Sequence, residues 1–210
     1  MKRARPDGLP DRALQQRYGL LAGVDEVGRG ALAGPLTVAA VILDPRHVIP
    51  GIDDSKRLSA QARRRLAVEV RRHAVAWAVV HRSPTRIDAV NVLEATREAM
   101  RSALLALRPV PACAVADALA LPGLPFPVVT ETHADERYLC VAAASILAKV
   151  VRDAHMARLA GRHPGYGWER NRGYGTREHL EALRRIGPSP CHRRSFAPVR
   201  VSMNRGKSLA

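Results

Sequence analysis

Two adjacent acids, Asp25 and Glu26, close an apolar run, and a turn containing Gly28 and Gly30 follows at once. A third acid, Asp117, ends a second apolar run, and Asp135 follows a third. Acids in such places are ordinarily solvated turn residues. Acids that converge on one point are different, because carboxylates ~4 Å apart repel by roughly 4 kcal/mol at an effective dielectric of ~20, and a cation must offset this. Hard oxygen ligands without cysteine favour Mg²⁺ or Mn²⁺, held by a few carboxylates with water and substrate phosphate. Two such ions ~4 Å apart activate a water and stabilise the leaving oxygen of an in-line attack on phosphorus. The chemistry these residue types could support is phosphodiester hydrolysis. Successive side chains of a strand point to opposite faces, so Asp25 and Glu26 serve one site only if the strand ends or kinks there, which the glycines allow.

The elements that would position these acids alternate along the chain. Residues 20–25 and 36–43 read as buried strands joined as a hairpin, 74–80 as a third strand, and 112–116 and 127–131 as two more. Ser59 can cap a helix over 60–72. Asn91 opens a longer helix, with Val92, Ala95, Ala99, Ala103 and Leu107 on one face, that Pro109 stops. A helix over 138–161 begins with small residues, Ala142, Ala143, Ala144 and Ser145, that permit close approach to a sheet. Thr176 caps a last helix that ends at Gly187-Pro188. Residues 1–19 read as a polar lead-in, 20–200 as one catalytic domain and 201–210 as a flexible basic tail. Helices between strands, after an opening hairpin, indicate an α/β domain with a mixed sheet.

The net charge of +15 is carried almost wholly by arginine, since lysine occurs only at positions 2, 56, 149 and 207. Such an excess favours a polyanionic partner, although an arginine-rich coding bias would also produce it. Cys113, Cys140 and Cys191 form no CxxC pair, which argues against a cysteine zinc site and for a reduced cytoplasmic setting. Residues 1–20 lack the apolar core of a signal peptide, and the longest uncharged run, 30–43, is too short to span a membrane. A soluble monomer that binds nucleic acid and no membrane is the expectation.

The run Ala22-Gly23-Val24-Asp25-Glu26-Val27-Gly28-Arg29-Gly30-Ala31-Leu32-Ala33-Gly34-Pro35 resembles the signature of the ribonuclease HII family. Further segments match in order: Asp54-Ser55-Lys56 with Leu58, then Ala142 to Val150 with Arg152-Asp153, then Gly173-Tyr174-Gly175-Thr176 with His179-Leu180, then His192-Arg193-Arg194-Ser195-Phe196. The resemblance implies a ribonuclease H-like fold and two-metal hydrolysis, with Asp25, Glu26, Asp117 and Asp135 as the metal-binding catalytic quartet. It implies cleavage on the 5′ side of a ribonucleotide in duplex DNA or in RNA/DNA hybrids, leaving 3′-OH and 5′-phosphate ends. Peptide groups of Gly28, Arg29 and Gly30 would sense the 2′-OH, and Tyr174 would stack on the neighbouring deoxyribose. Glycine lets backbone come close to a ligand.

Lys56, Ser145 and Lys149 are candidate phosphate contacts. His192, Arg193 and Arg194 read either as a phosphate-facing strip or as a solvated basic turn. Asp153 is the alternative fourth acid, but Asp135 precedes the small-residue helix at the family's distance, and Asp153 is expected to organise the basic end of that helix. The pattern is broken by His133 for lysine, Ala118 for glycine and Gly175 for proline. The sister class ribonuclease HIII carries an extra N-terminal domain, for which the residues before Leu20 leave no room. A rival of another kind, a non-catalytic arginine-rich binding module, explains the charge but not acids at strand ends.

Overall fold

The structure, a computed structural model, describes residues 6–207. Its five strands are β1 (Leu21–Val27), β2 (Leu36–Leu43), β3 (Ala74–Arg82), β4 (Cys113–Asp117) and β5 (Val128–Glu131). They form one sheet in the order β3-β2-β1-β4-β5, with β1 antiparallel to β2 and parallel to β4, and β4 parallel to β5. The sheet is therefore mixed, as the alternating elements indicated. Parallel strands are covered on both faces and read as continuous apolar runs. Residues 21–25 of β1 and 113–116 of β4 are accordingly all buried.

Packing divides the chain into two compact units. The first comprises Met1–Val27, Thr37–Val80 and Arg97–Val150. It contains α1 (Leu9–Tyr18), α2 (Ala60–His73) and the start of α4 (Leu139–Arg162). The Ser59 side chain accepts from Ala62 N–H and starts α2 where expected. Helix α4 approaches β1 at backbone distance. A Cβ at Gly23 would lie 2.2 Å from the Cys140 carbonyl carbon and 2.3 Å from Val141 N, so only glycine fits. The first two N–H groups of α4 are capped from a distance: Asp11 accepts from Leu139 N at 2.9 Å and Cys140 N at 3.0 Å. A carboxylate there also complements the helix dipole.

The second unit comprises Gly28–Leu36, His81–Thr96 and Val151–Ala210. It contains α5 (Trp168–Asn171), α6 (Arg177–Ile186) and α7 (Ala197–Lys207) around a core of Leu32, Met156, Tyr166, Trp168, Leu183 and Val199. The Thr176 side chain accepts from His179 N–H and caps α6, which stops at left-handed Gly187. Helix α3 (Pro84–Ala106) is interrupted at Asn91, whose φ of 67° is non-helical. Asn91 Oδ1 accepts from Leu93 and Glu94 N–H, so it caps the second stretch as expected, and an unexpected stretch precedes it.

Two further expectations are corrected. The polar lead-in is helical from Leu9, because Asp11 and Leu14 tie α1 to α4 and to the core around Leu21. Residues 201–207, expected to be loose, continue α7, where Val199 is buried and Ser202 Oγ donates to Leu183 O. Residues 1–5 and 208–210 of the expected lead-in and tail lie outside the described residues. No helix among the described residues is long and apolar enough to cross a membrane.

Asp11 is 6% exposed, so truncating it strips two buried N–H groups of their partner. Asp11→Ala should lower stability by about 1–3 kcal/mol, read as a shifted urea midpoint by circular dichroism. An unchanged midpoint would show that α4 needs no such cap.

Candidate active site

Strand β1 does not end at its acids. Regular pairing continues through Asp25↔Ala39 and Glu26↔Val38 to Val27↔Thr37, which corrects the expected kink. Asp25 is 7% exposed and Glu26 is half-buried, on successive positions of an unbroken strand. Asp117 ends β4, and its Oδ1 accepts from Ala134 N at 3.0 Å. That bond fixes the 3-10 turn Ala134–Glu136, which carries Asp135, itself 2% exposed.

These four acids act on one another. Burial raises the Asp25 pKa well above the ordinary 3.8, and Glu26, Asp135 and Asp117 push it further up. The Ser145 hydroxyl works the other way by donating to the Asp25 carboxylate. Ser145 Oγ lies 2.9 Å from Ser55 Oγ, and since Ser145 has one proton, Ser55 must donate to it. Burial also raises Asp135, Lys56 opposes this, and Asp54 and Asp117 add to it. Lys56 Nζ donates to Asp135 Oδ2 at 3.3 Å. Partial desolvation lowers the Lys56 pKa, but Asp135, Asp54 and Asp25 outweigh it and the net shift is upward.

Lys56 stands on a built loop. Its N–H donates to Asp54 Oδ1 at 2.9 Å, and Arg63 donates to Ser55 O at 2.7 Å. Ser55 and Asp54 join this cluster; the motif contained them, but residue-type reasoning did not single them out. A serine beside a lysine carries no signal until Ser145 is brought to it from 90 positions away. Lys149 lies one turn beyond Ser145 on α4 and is half-buried.

All four acids therefore share the first unit. Asp153 belongs to the second, where Arg172 Nε lies 4.0 Å from its Oδ2. Among the described residues, no three His, Cys, Asp or Glu side chains form a ready-made metal cage. The donor set still suits a hard divalent cation. It is all oxygen, and Asp25 is opposed by three neighbouring acids, a repulsion that a hard divalent cation would offset.

The family pattern has glycine where this chain has Ala118, and the backbone there is left-handed, with φ of 50°. For alanine that costs about 1–2 kcal/mol, a strain stored next to Asp117. His133 is left-handed as well, with φ of 59°.

In the second unit, the segment after β1 is held by two buried arginines. Arg193 is 0% exposed and donates to Arg29 O at 2.8 Å, Gly28 O at 2.7 Å and Gly34 O at 3.1 Å. Arg152, also 0% exposed, donates to Pro35 O at 3.0 Å and Ala33 O at 3.3 Å. Burial lowers the pKa of both guanidinium groups. Arg193 thus faces neither phosphate nor solvent, which corrects both readings for that residue; its neighbour His192 is buried too, at 1% exposure. Arg194 is exposed, and its N–H donates to Asp88 Oδ2.

Gly28, with φ of 86°, lies over Arg152, where a Cβ would meet Nε at 2.0 Å. Exposed Gly30 has nothing within 4 Å of an added Cβ. The Tyr174 ring is 5.3 Å from the Arg152 guanidinium, and Gly173 O accepts from Leu32 N.

The model of the ribonuclease HII family matches residues 22–199. The chain is 51% identical over 196 residues to ribonuclease HII of Paramagnetospirillum magneticum, covering 91% of this chain and 97% of that one. It is 49% identical over 203 residues to ribonuclease HII of Rhodospirillum rubrum, covering 94% and 93% respectively. The solved ribonuclease H2 from Pyrococcus horikoshii superposes with a TM-score of 0.77 at 29% identity, over 89% of this chain and 98% of that one. The fold is thus of the ribonuclease H-like α/β kind.

The raised Asp25 pKa carries a sign that can be tested. The folded state holds that proton more tightly than the unfolded chain, so stability falls as pH rises from the ordinary 3.8 through the folded value, and stays lower above it. Metal-free Asp25→Asn should therefore match or exceed the parent in stability near neutral pH, with the difference shrinking in acid. Urea unfolding in EDTA at both pH values measures this. A variant less stable at neutral pH than in acid, relative to the parent, contradicts the assignment.

Proposed function

The chain belongs to the ribonuclease HII family, and from that premise we propose that it cuts the phosphodiester 5′ to a ribonucleotide embedded in duplex DNA or an RNA/DNA hybrid, leaving 3′-OH and 5′-phosphate ends. Membership makes it a ribonuclease H-type nuclease that acts on RNA/DNA hybrids. A non-catalytic binding module is thereby set aside. The observation that supports the finer reading most is buried Asp25, opposed by Glu26, Asp135 and Asp117, with Lys56 on Asp135.

In this reading Asp25, Glu26, Asp117 and Asp135 hold Mg²⁺ or Mn²⁺, two ions during turnover. Bound there, the metal would supply an activated water and an offset to the charge on the leaving oxygen. The chain's own groups do the rest. Ser55 donates a hydrogen bond to Ser145, which donates one to Asp25 and keeps its carboxylate oriented as an acceptor. Lys56 holds Asp135 in place and, being largely exposed, is free to meet a phosphate as well. Arg194, also exposed, and Lys149 add positive potential for the backbone.

Positive charge binds any duplex, so discrimination between ribose and deoxyribose needs short-range contacts. A site built to hydrogen-bond a hydroxyl rejects the analogue lacking it, because its own polar groups are left unpaired. Peptide groups of Gly28, Arg29 and Gly30 are the candidates, with carbonyls 28 and 29 already engaged by Arg193. The backbone of this segment meets the ribose in this reading, with Tyr174 stacking on the adjoining deoxyribose.

Single-turnover cleavage of a duplex with one ribonucleotide, with Mg²⁺, Mn²⁺ or EDTA, tests the whole reading. EDTA should abolish cutting, and Asp25→Asn, Glu26→Gln and Asp117→Asn should each lower the rate at least ~100-fold. Asp135→Asn should impair more than Asp153→Asn, and the reverse order would move the fourth acid. Cutting on the 3′ side of the ribonucleotide would refute the bond assigned.

Because Gly30 has open space around it, Gly30→Ala should leave stability unchanged while lowering cleavage, with binding to all-DNA duplex retained. Cleavage at the parent rate would remove this segment from ribose recognition.

A further inference from the structure

The second unit buries two histidines that the reaction does not use. His179 is 0% exposed and His192 1%, and both lie against fully buried Trp168. Their hydrogen bonds fix where each proton sits. Indole Nε1–H can only donate, and Trp168 Nε1 is 3.0 Å from His179 Nε2, so that nitrogen carries no proton. The His179 proton is then on Nδ1, which donates to Tyr174 O at 2.9 Å. Ser189 N–H can only donate, and it points at His192 Nδ1 from 2.9 Å. The His192 proton is therefore on Nε2, 3.1 Å from His179 Nε2, which accepts from both neighbours. A single pair of neutral tautomers satisfies every ring nitrogen.

The two rings are kept neutral chiefly by their burial. Burial lowers both pKa values, His179 and His163 add to this at His192, and His192 is brought to about 4. The carbonyls of Tyr174 and Gly173 oppose this at His179, as does Glu178, the one carboxylate acting on it among the described residues, and burial outweighs them. Tyr166 meets both rings with its edge or face and brings no charge.

The pair touches two segments of the proposed ribose-sensing surface. Tyr174 O is held by His179, while the preceding Gly173 O accepts from Leu32 and Ala33 N–H, so the peptide carrying Tyr174 is pinned at both ends. His192 forms a β-bridge with Ala33 and precedes Arg193, whose guanidinium holds the carbonyls of Gly28 and Arg29. We propose that His179 and His192 are positioning residues: as a neutral hydrogen-bonded pair they fix Tyr174 relative to Gly28–Gly30, and thereby set discrimination at the ribonucleotide junction. This rests on the proposed role of Tyr174.

Two substitutions separate positioning from plain core packing. The amide nitrogen of Asn overlies Nδ1, so His179→Asn retains a donor for Tyr174 O and loses the acceptor for Trp168. The amide oxygen of Gln overlies Nε2, so His179→Gln does the reverse. In single-turnover cleavage of a duplex with one ribonucleotide, His179→Gln should lose about tenfold or more in rate, and His179→Asn should recover to within about threefold of the parent. Affinity for all-DNA duplex should be unchanged in both. Combining His179→Gln with Tyr174→Ala should cost no more than Tyr174→Ala alone, since the histidine acts through the tyrosine.

Long-range ¹H–¹⁵N spectra of the parent protein should show His179 protonated at Nδ1 and His192 at Nε2, a readout independent of any variant. Equal losses for Asn and Gln, additive losses in the double variant, or the opposite tautomers would each overturn the proposal. Parent-like cleavage by Tyr174→Ala would instead overturn the role of Tyr174, a different failure from one in which Tyr174→Ala is slow and His179→Gln is not.

Discussion

Helix α4 can lie on β1 at backbone distance only because residue 23 has no side chain, and the arrangement of the acids depends on that contact. Strand residues two apart share a face about 7 Å along, and helix residues four apart share a face about 6 Å along. Gly23 and Asp25 are two apart, while Val141 and Ser145 are four apart. Seating Val141 against Gly23 therefore delivers Ser145 to Asp25, and through Ser145 the Ser55 loop. Any side chain at position 23 would move the helix away and separate a hydroxyl from the most strongly perturbed carboxylate. The run Ala142-Ala143-Ala144, entirely buried, extends the same close approach along the helix.

The second unit solves a different problem with charge. A segment such as Gly28–Leu36, outside a ladder for most of its length, has carbonyls that need donors. Arg152 and Arg193 supply them from fully buried positions, and the fixed fork of a guanidinium lets one side chain serve several carbonyls. Lysine could not replace either: one compact ammonium cannot span the carbonyls of Gly28, Arg29 and Gly34. The arginine excess of the sequence is thus partly architectural, in addition to any attraction for nucleic acid.

What the sequence disclosed and what it hid divide along physical lines. Strands β1, β2 and β4 were readable because parallel and central strands are apolar throughout, and helix starts at Ser59, Asn91 and Thr176 were readable because capping is local chemistry. The acids at Asp25, Asp117 and Asp135 stood out by their position after apolar runs. Helix α1 was missed because its apolar positions are few and its stabilising bond runs from Asp11 to residues 128 and 129 positions away. Arg193 and His192 were misplaced because charged and polar residues default to the surface, and only partners such as Gly28, 165 positions distant, make burial tolerable. Ser55 was hidden for the same reason. Local pattern reveals which groups are present; long-range pairing decides which of them face a ligand.

The two tryptophans fall one to each compact unit. Trp77 is 43% exposed on β3 beside the Arg71 guanidinium, whereas Trp168 is sealed against Tyr166 and two uncharged imidazoles. Their indoles therefore stand in surroundings of opposite polarity, and emission from the first is expected to lie to the red of emission from the second. The unlabelled chain thus carries one optical reporter in each unit.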